Sequence, residues 1–337
     1  TAVAAVAAVA VVGAHPGAAA TTAPAPKRLC TLEGDRLMEL SGLASDGENL
    51  YGVNDGGSQV EVVVLDRQCQ VRRTITAGID PYDVEDLALA RDGTLWLSDT
   101  GDNGKDRDTV ALIKVGPNGH ASLHRLTYPD GQHDTEAILL DRSGRPHLVT
   151  KNVLGRSDVY RPTGKLRSPG PTPLAKVGDV SLQSTDTPGG PPEAGAVGSI
   201  LVTGGAVSRG GTVVALRTYN DAYLFPAPDG DVVKALGRTP VRIPLPNEPQ
   251  GEAIAFDPDG TLLSAGEGSR QPIRSVPGAA ARATPKPVGE SDDGGETSTD
   301  AATGEEQERS ALPAIAVAAI AAALLWFGLG RLRRRRR

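Results

Sequence analysis

The chain has 337 residues, a formal charge of −6, two cysteines and only 3% aromatic residues. Its length exceeds that of an average domain, and its charge divides into a basic end, an acidic segment before it and a mildly acidic middle. The middle has no basic stripe, which excludes a nucleic-acid partner, and the absence of CxxC or Cys/His spacing excludes a zinc site.

In chain order, residues 1–26 come first. Ala2–Gly13 is an apolar run, Gly17–Ala20 supplies small residues of the cleavage-site type, and a Pro- and Thr-rich stretch follows. This segment reads as a signal peptide, trimmed at its start, with its leader. In an exported chain an even cysteine count favours a disulfide, here Cys30–Cys69.

Residues 27–276 carry short apolar runs, among them LYGVN (50–54), VEVVVLD (60–66), TLWLSD (94–99), TVALIKV (109–115) and TVVALRT (212–218). Asp46-Gly47, Asp92-Gly93, Asn118-Gly119, Ser143-Gly144, Gly210-Gly211 and Asp259-Gly260 punctuate them as hairpin turns. No amphipathic helix interrupts the pattern, so the domain is expected to be all-β. Five segments repeat one shape: a polar start, a small-residue strand, a turn, then an apolar strand with a polar end. They begin at Glu39, Glu85, Glu136, Thr203 and Glu252. Starts roughly 45–70 residues apart predict a β-propeller of five four-stranded blades. A sixth is left open within 173–202, where Val177–Leu182 is strand-like. Lys27–Leu32 is expected to supply the last blade's missing strand and close the ring, with the disulfide tying it to the first blade. A β-sandwich is the competing architecture.

Residues 277–310 lack apolar periodicity and are rich in Pro, Gly, Ser, Thr, Asp and Glu, as an extended disordered stalk would be. Within 311–330, Leu312–Leu329 is uncharged and about as long as a bilayer-crossing helix needs to be. Trp326 lies at its end and residues 331–337 close on five arginines, so the tail is expected inside and the domain outside. The expected location is therefore the cell membrane, with a single pass and the propeller extracytoplasmic.

Propeller geometry brings strand starts to one mouth of the channel. Glu39, Glu85, Glu136 and Glu252 are expected there, with Asp99 from a second-strand end and Lys151 and Arg217 as facing cations. Crowded carboxylates repel, and a hard cation such as Ca²⁺ would compensate. The alternative is that the glutamates staple neighbouring blades through backbone N–H groups. His133 adds a weaker general-base candidate beside this mouth. No GxSxG elbow, P-loop or dinucleotide fingerprint is present.

Several motifs carry a family resemblance: ELSGLA (39–44), NDGG (54–57), DVEDLALA (83–90), SDTGDN (98–103), LRTYNDAYLF (216–225) and PQGEAIAFD (249–257). They resemble exported, membrane-anchored actinobacterial propeller proteins. More distantly they resemble the esterase-like phytase and gluconolactonase-like superfamily. That resemblance implies Ca²⁺-dependent hydrolysis of phosphate esters or lactones at the channel mouth. It gives Glu39, Asp99, Glu136 and Glu252 as metal-ligand positions, and Lys151 and Arg217 as anion-holding groups. Fold alone does not give function. The stalk-and-anchor layout and the missing catalytic motifs favour a surface domain that binds a glycan, peptide or protein. A metal-dependent hydrolase is the alternative.

Overall fold

The computed structural model describes residues 25–284. The signal peptide, most of the stalk, the expected membrane span and the arginine tail lie outside the described residues. Among the described residues no helix is long and apolar enough to cross a membrane.

Among the described residues twenty strands form five antiparallel quartets. The first holds β2 (Leu40–Ser45), β3 (Leu50–Asn54), β4 (Val60–Leu65) and β5 (Val71–Ala77). The second holds β6 (Val84–Leu89), β7 (Leu95–Asp99), β8 (Val110–Val115) and β9 (Ala121–Thr127). The third holds β10 (Thr135–Leu140), β11 (Pro146–Thr150), β12 (Arg156–Pro162) and β13 (Thr172–Ser181). The fourth holds β14 (Val202–Val207), β15 (Val213–Thr218), β16 (Asp221–Pro226) and β17 (Val241–Pro244). The fifth joins β18 (Gly251–Phe256), β19 (Leu262–Gly266) and β20 (Pro272–Val276) to β1 (Lys27–Thr31), which pairs antiparallel with β20. The ring therefore closes with the segment the sequence pointed to. Thr172 and Pro173 of β13 also pair in parallel with β9, fusing the second and third quartets into one eight-stranded sheet.

The apolar residues identify the architecture. Buried side chains fall into successive clusters, each between neighbouring quartets: Val53 and Val62 with Leu87 and Leu97; Trp96 and Leu112 with Ile138 and Leu148; Leu139 and Val149 with Val214 and Leu216. The sequence continues through Ala215 and Leu224 with Ile254 and Leu262, then Leu43 and Val63 with Ala255 and Leu263. Each sheet buries both faces against its neighbours, and the last cluster returns to the first quartet. That is a propeller of five blades, and two stacked sheets of a sandwich would share one core instead.

No sixth blade occurs among the described residues. Val177–Leu182 falls at the end of β13, the outermost strand of the third blade. After β20 a short helix, Ala279–Ala283, buries Ala279 and Ala283 against the fourth and fifth blades. The six turn glycines all adopt positive φ, for example +83° at Gly93, which suits tight hairpins of this kind. Close to the axis, small residues are a steric requirement. A Cβ on Gly42 would lie 2.5 Å from the Leu87 nitrogen, and one on Gly204 would lie 2.5 Å from the Glu252 carbonyl oxygen.

Candidate functional site

Each innermost strand carries one register slip, always at the same place. The ladder skips between Leu40 and Gly42, Val84 and Asp86, Thr135 and Ala137, Val202 and Gly204, and Gly251 and Ala253. The residues passed over are Ser41, Glu85, Glu136, Thr203 and Glu252, all buried. A bulge re-aims a side chain and is common beside functional sites. Here it gathers one polar group per blade at one mouth of the axis. The second strands end next to them, placing buried Asp55, Tyr219 and Glu267 and half-buried Lys151 around the same mouth.

Within this ring, carboxylate oxygens of Glu85, Asp134 and Glu136 lie within 4.8 Å of one another. Lys151 Nζ donates to Glu136 Oε1 at 2.8 Å and sits 5.3 Å from the Tyr219 ring centroid. Ser41 Oγ reaches Glu85 Oε2 at 3.4 Å, and the Asp102 N–H donates to Asp134 Oδ1 at 2.9 Å. Glu252 accepts from Gln250 Nε2 at 3.4 Å and is close enough to act electrostatically on Glu136 and Lys151. Gly101 makes room for the group, because a Cβ there would fall 2.1 Å from Glu85 Oε1.

Burial, reinforced by Glu136, Asp83 and Asp134, pushes the Glu85 carboxyl well above the ordinary carboxylate range. Burial also pushes Glu136 up, against the opposing pull of Lys151. Burial works against the charge of Lys151, but Glu136 and its acidic neighbours outweigh it and hold the ammonium well above its usual value. The site is thus an acidic pocket with one resident cation and more carboxyl groups than that cation can pair with.

A pH effect follows. A carboxyl whose folded value is raised gives stability that is complete below its unfolded value of 4.5 and lost as pH climbs through the folded value. In EDTA the protein is expected to lose stability from mildly acidic to neutral pH. Glu85→Gln should flatten that slope and raise stability at neutral pH, because the amide has no charge to be buried beside Glu136, Asp83 and Asp134. Denaturant titrations at pH 5 and pH 8 check this; an unchanged slope would refute it.

Three of the expected positions do not join the cluster. Glu39 is exposed, two residues before the bulge, and Ser41 takes the place expected for it. Asp99 is spent locally: Oδ1 accepts from the Tyr82 and Asp83 nitrogens at 3.1 and 2.8 Å and pairs with Arg107 at 3.2 Å. Arg217 is no anion holder. It is 0% exposed, pairs with Glu248 at 3.0 Å, and donates to the carbonyls of Ala253 and Ala265 on the next blade. It serves as a blade staple, the role the sequence reading had offered for the glutamates. His133 is engaged by Asp130 and Tyr160, at 3.0 and 2.9 Å.

Two positions in and beneath this candidate site escaped the sequence reading. Asp134 stood only as a neighbour of His133. Asp86 occupies a level at which the other blades carry Gly42, Ala137, Gly204 and Ala253. Its Oδ2 accepts from the Ile138 nitrogen at 2.8 Å and from the Gly205 nitrogen at 3.1 Å, and Oδ1 accepts from Leu87. Fully buried, it ties the innermost strands of three blades together beneath the acidic ring. A lone charged residue at an otherwise Gly/Ala position was the available signal.

No protein-family model matches the chain, and no curated protein matches it. Among solved structures it is similar to a gluconolactonase from Xanthomonas campestris, at 15% identity over 71% of this chain and 72% of that one, with a TM-score of 0.40. It is also similar to virginiamycin B lyase from Staphylococcus aureus, at 14% identity over 69% of this chain and 65% of that one, with a TM-score of 0.36. The PQQ-bound aldose sugar dehydrogenase from Streptomyces coelicolor gives 12% identity over 76% and 99%, with a TM-score of 0.41. Scores this low carry no argument about activity, and the propeller rests on the strand pairing and cores described above.

Proposed function

We propose that this chain is a ligand-binding propeller, exported and anchored in the cell membrane by residues 311–330, whose acidic mouth binds a divalent cation, Ca²⁺ foremost. The observation that carries the reading is the convergence of Glu85, Asp134 and Glu136 oxygens within 4.8 Å in a buried setting. Oxygen donors of this kind suit a hard cation. These three carboxylates would hold the ion, with Glu252 and the Ser41 hydroxyl at its edge. A bound ion supplies positive charge that attracts an oxyanion of a glycan, peptide or protein. Lys151 holds Glu136 in place and adds a second positive charge at the opening. The uncharged segment Leu312–Leu329 with its arginine tail supports the anchor.

One observation favours a second reading. Lys151 is 14% exposed and bonded to Glu136, so an ammonium and a carboxylate meet at one accessible point. That pair suits hydrolysis of a phosphate ester, ester or lactone, with Lys151 holding the developing negative charge.

The test is thermal melting of EDTA-treated full-length protein with Ca²⁺, Mg²⁺ or Mn²⁺. An ion at one hundred times its Kd stabilises by about 2.7 kcal/mol. A clear rise in Tm that is lost in Glu136→Gln is the expected result, and no shift with any of the three ions overturns the proposal. Metal-dependent turnover of such a substrate, abolished by Lys151→Met, would establish the second reading in place of the first.

A further inference from the structure

The opposite mouth of the propeller differs in kind from the acidic one. There the ends of the innermost strands and the turns after them, from all five blades, enclose a cavity of about 450 Å³. Such a volume suits a small organic molecule. Leu43, Leu87, Trp96, Leu140 and Phe256 give it apolar walls, and Arg91, Lys114, Arg142 and Arg209 also line it.

Among the described residues none of these four cations forms an ion pair, although Lys114 acts on Asp92 at longer range. The arginines that are held in place are held by carbonyl oxygens. Arg91 Nη2 donates to the Arg209 carbonyl at 3.0 Å, and Arg142 Nε donates to the Gly210 carbonyl at 3.0 Å. Lys114 Nζ stands 4.5 Å from the centroid of the Trp96 ring. The two carboxylates lining the cavity are spent inside their own turns. Asp92 accepts from the Thr94 nitrogen at 3.0 Å, and Asp141 pairs with Arg145 at 3.0 Å. Asp257, just beyond the lining, is bound by Arg67 at 2.7 Å. The cavity is therefore apolar inside and cationic at its edge, with two guanidinium groups fixed before any ligand arrives. Fixed donors of this kind bind carboxylates through charge-assisted hydrogen bonds without first having to be ordered.

We propose that this second mouth is a binding site for a small organic anion, a carboxylate on an apolar body. The inference is independent of the acidic mouth and of any metal held there.

The experiment uses the full-length chain carrying Trp326→Phe. Of its two tryptophans, Trp96 then remains as the reporter inside the cavity. Cyclohexanecarboxylate, cyclohexanemethanol and cyclohexylmethylammonium present one body with three charges. Trp96 emission should respond to the carboxylate, with an affinity about tenfold above that of the alcohol and weakest binding for the ammonium. Raising salt should weaken only the carboxylate. Arg209→Gln, whose guanidinium makes no hydrogen bond among the described residues, and Lys114→Gln should each lower carboxylate affinity severalfold, while Glu136→Gln should leave it unchanged. Equal binding of alcohol and carboxylate, indifference to both Arg209→Gln and Lys114→Gln, or no response to the carboxylate would overturn the proposal.

Discussion

Arg217→Met is expected to destabilise the domain by about 3–5 kcal/mol, the cost of breaking a buried ion pair from one side. The guanidinium is 0% exposed and lies between the fourth and fifth blades. Besides its pair with Glu248, it donates to the carbonyls of Thr218, Ala253 and Ala265, each at 3.0 Å. Removing it leaves Glu248 buried at 4% exposure, with the Ser264 hydroxyl at 2.8 Å and Arg274 at 3.8 Å. Methionine restores volume but no donors. Gly251→Ala should act in the same direction, since its Cβ would fall 1.8 Å from Arg217 Nη2. Denaturant titration measures the loss. A variant of undiminished stability with altered ligand binding would instead return Arg217 to the anion-holding role.

Replacing both cysteines with serine is expected to lower stability by about 4 kcal/mol. The Cys30–Cys69 disulfide spans a sequence separation of 39, and closing a loop of that size in the unfolded chain accounts for this value. The native side fits the link, with Cα atoms 5.7 Å apart. The bond joins β1 in the fifth blade to the turn between β4 and β5 in the first. Arg67 spans the same junction with a two-pronged bond to Asp257, at 2.9 and 2.7 Å. Without the disulfide, β1 keeps its pairing with β20 and the burial of Leu32. The protein should therefore still fold, with a lower denaturant midpoint and faster proteolysis near Lys27. An unchanged midpoint would show that the non-covalent contacts suffice.

The blades were legible because each is a local object. Hairpin turns such as Asp92-Gly93 and Asp259-Gly260 mark them, and strand–turn–strand spacing repeats within one blade. Closure by Lys27–Leu32 followed from counting strands. Register is harder to read, because a bulge shifts which residue faces the axis without changing composition. Glu39 was matched to Glu85 by its charge. Aligning the leucine two residues on, Leu43 against Leu87, selects Ser41 instead. Arg217 misled for a related reason: its strand end was located correctly, but its side chain crosses to the next blade. Such contacts between blades depend on packing that no single repeat encodes. Asp134 stood in the His133–Glu136 run one residue before β10, and only the folded ring brings it beside Glu85.

Asp86 has a consequence for how the molecule comes apart. By taking N–H groups from β10 and β14, it ties the innermost strands of the second, third and fourth blades together. Those three blades should accordingly open as one unit, with hydrogen exchange at the Ile138 and Gly205 amides among the slowest in the domain.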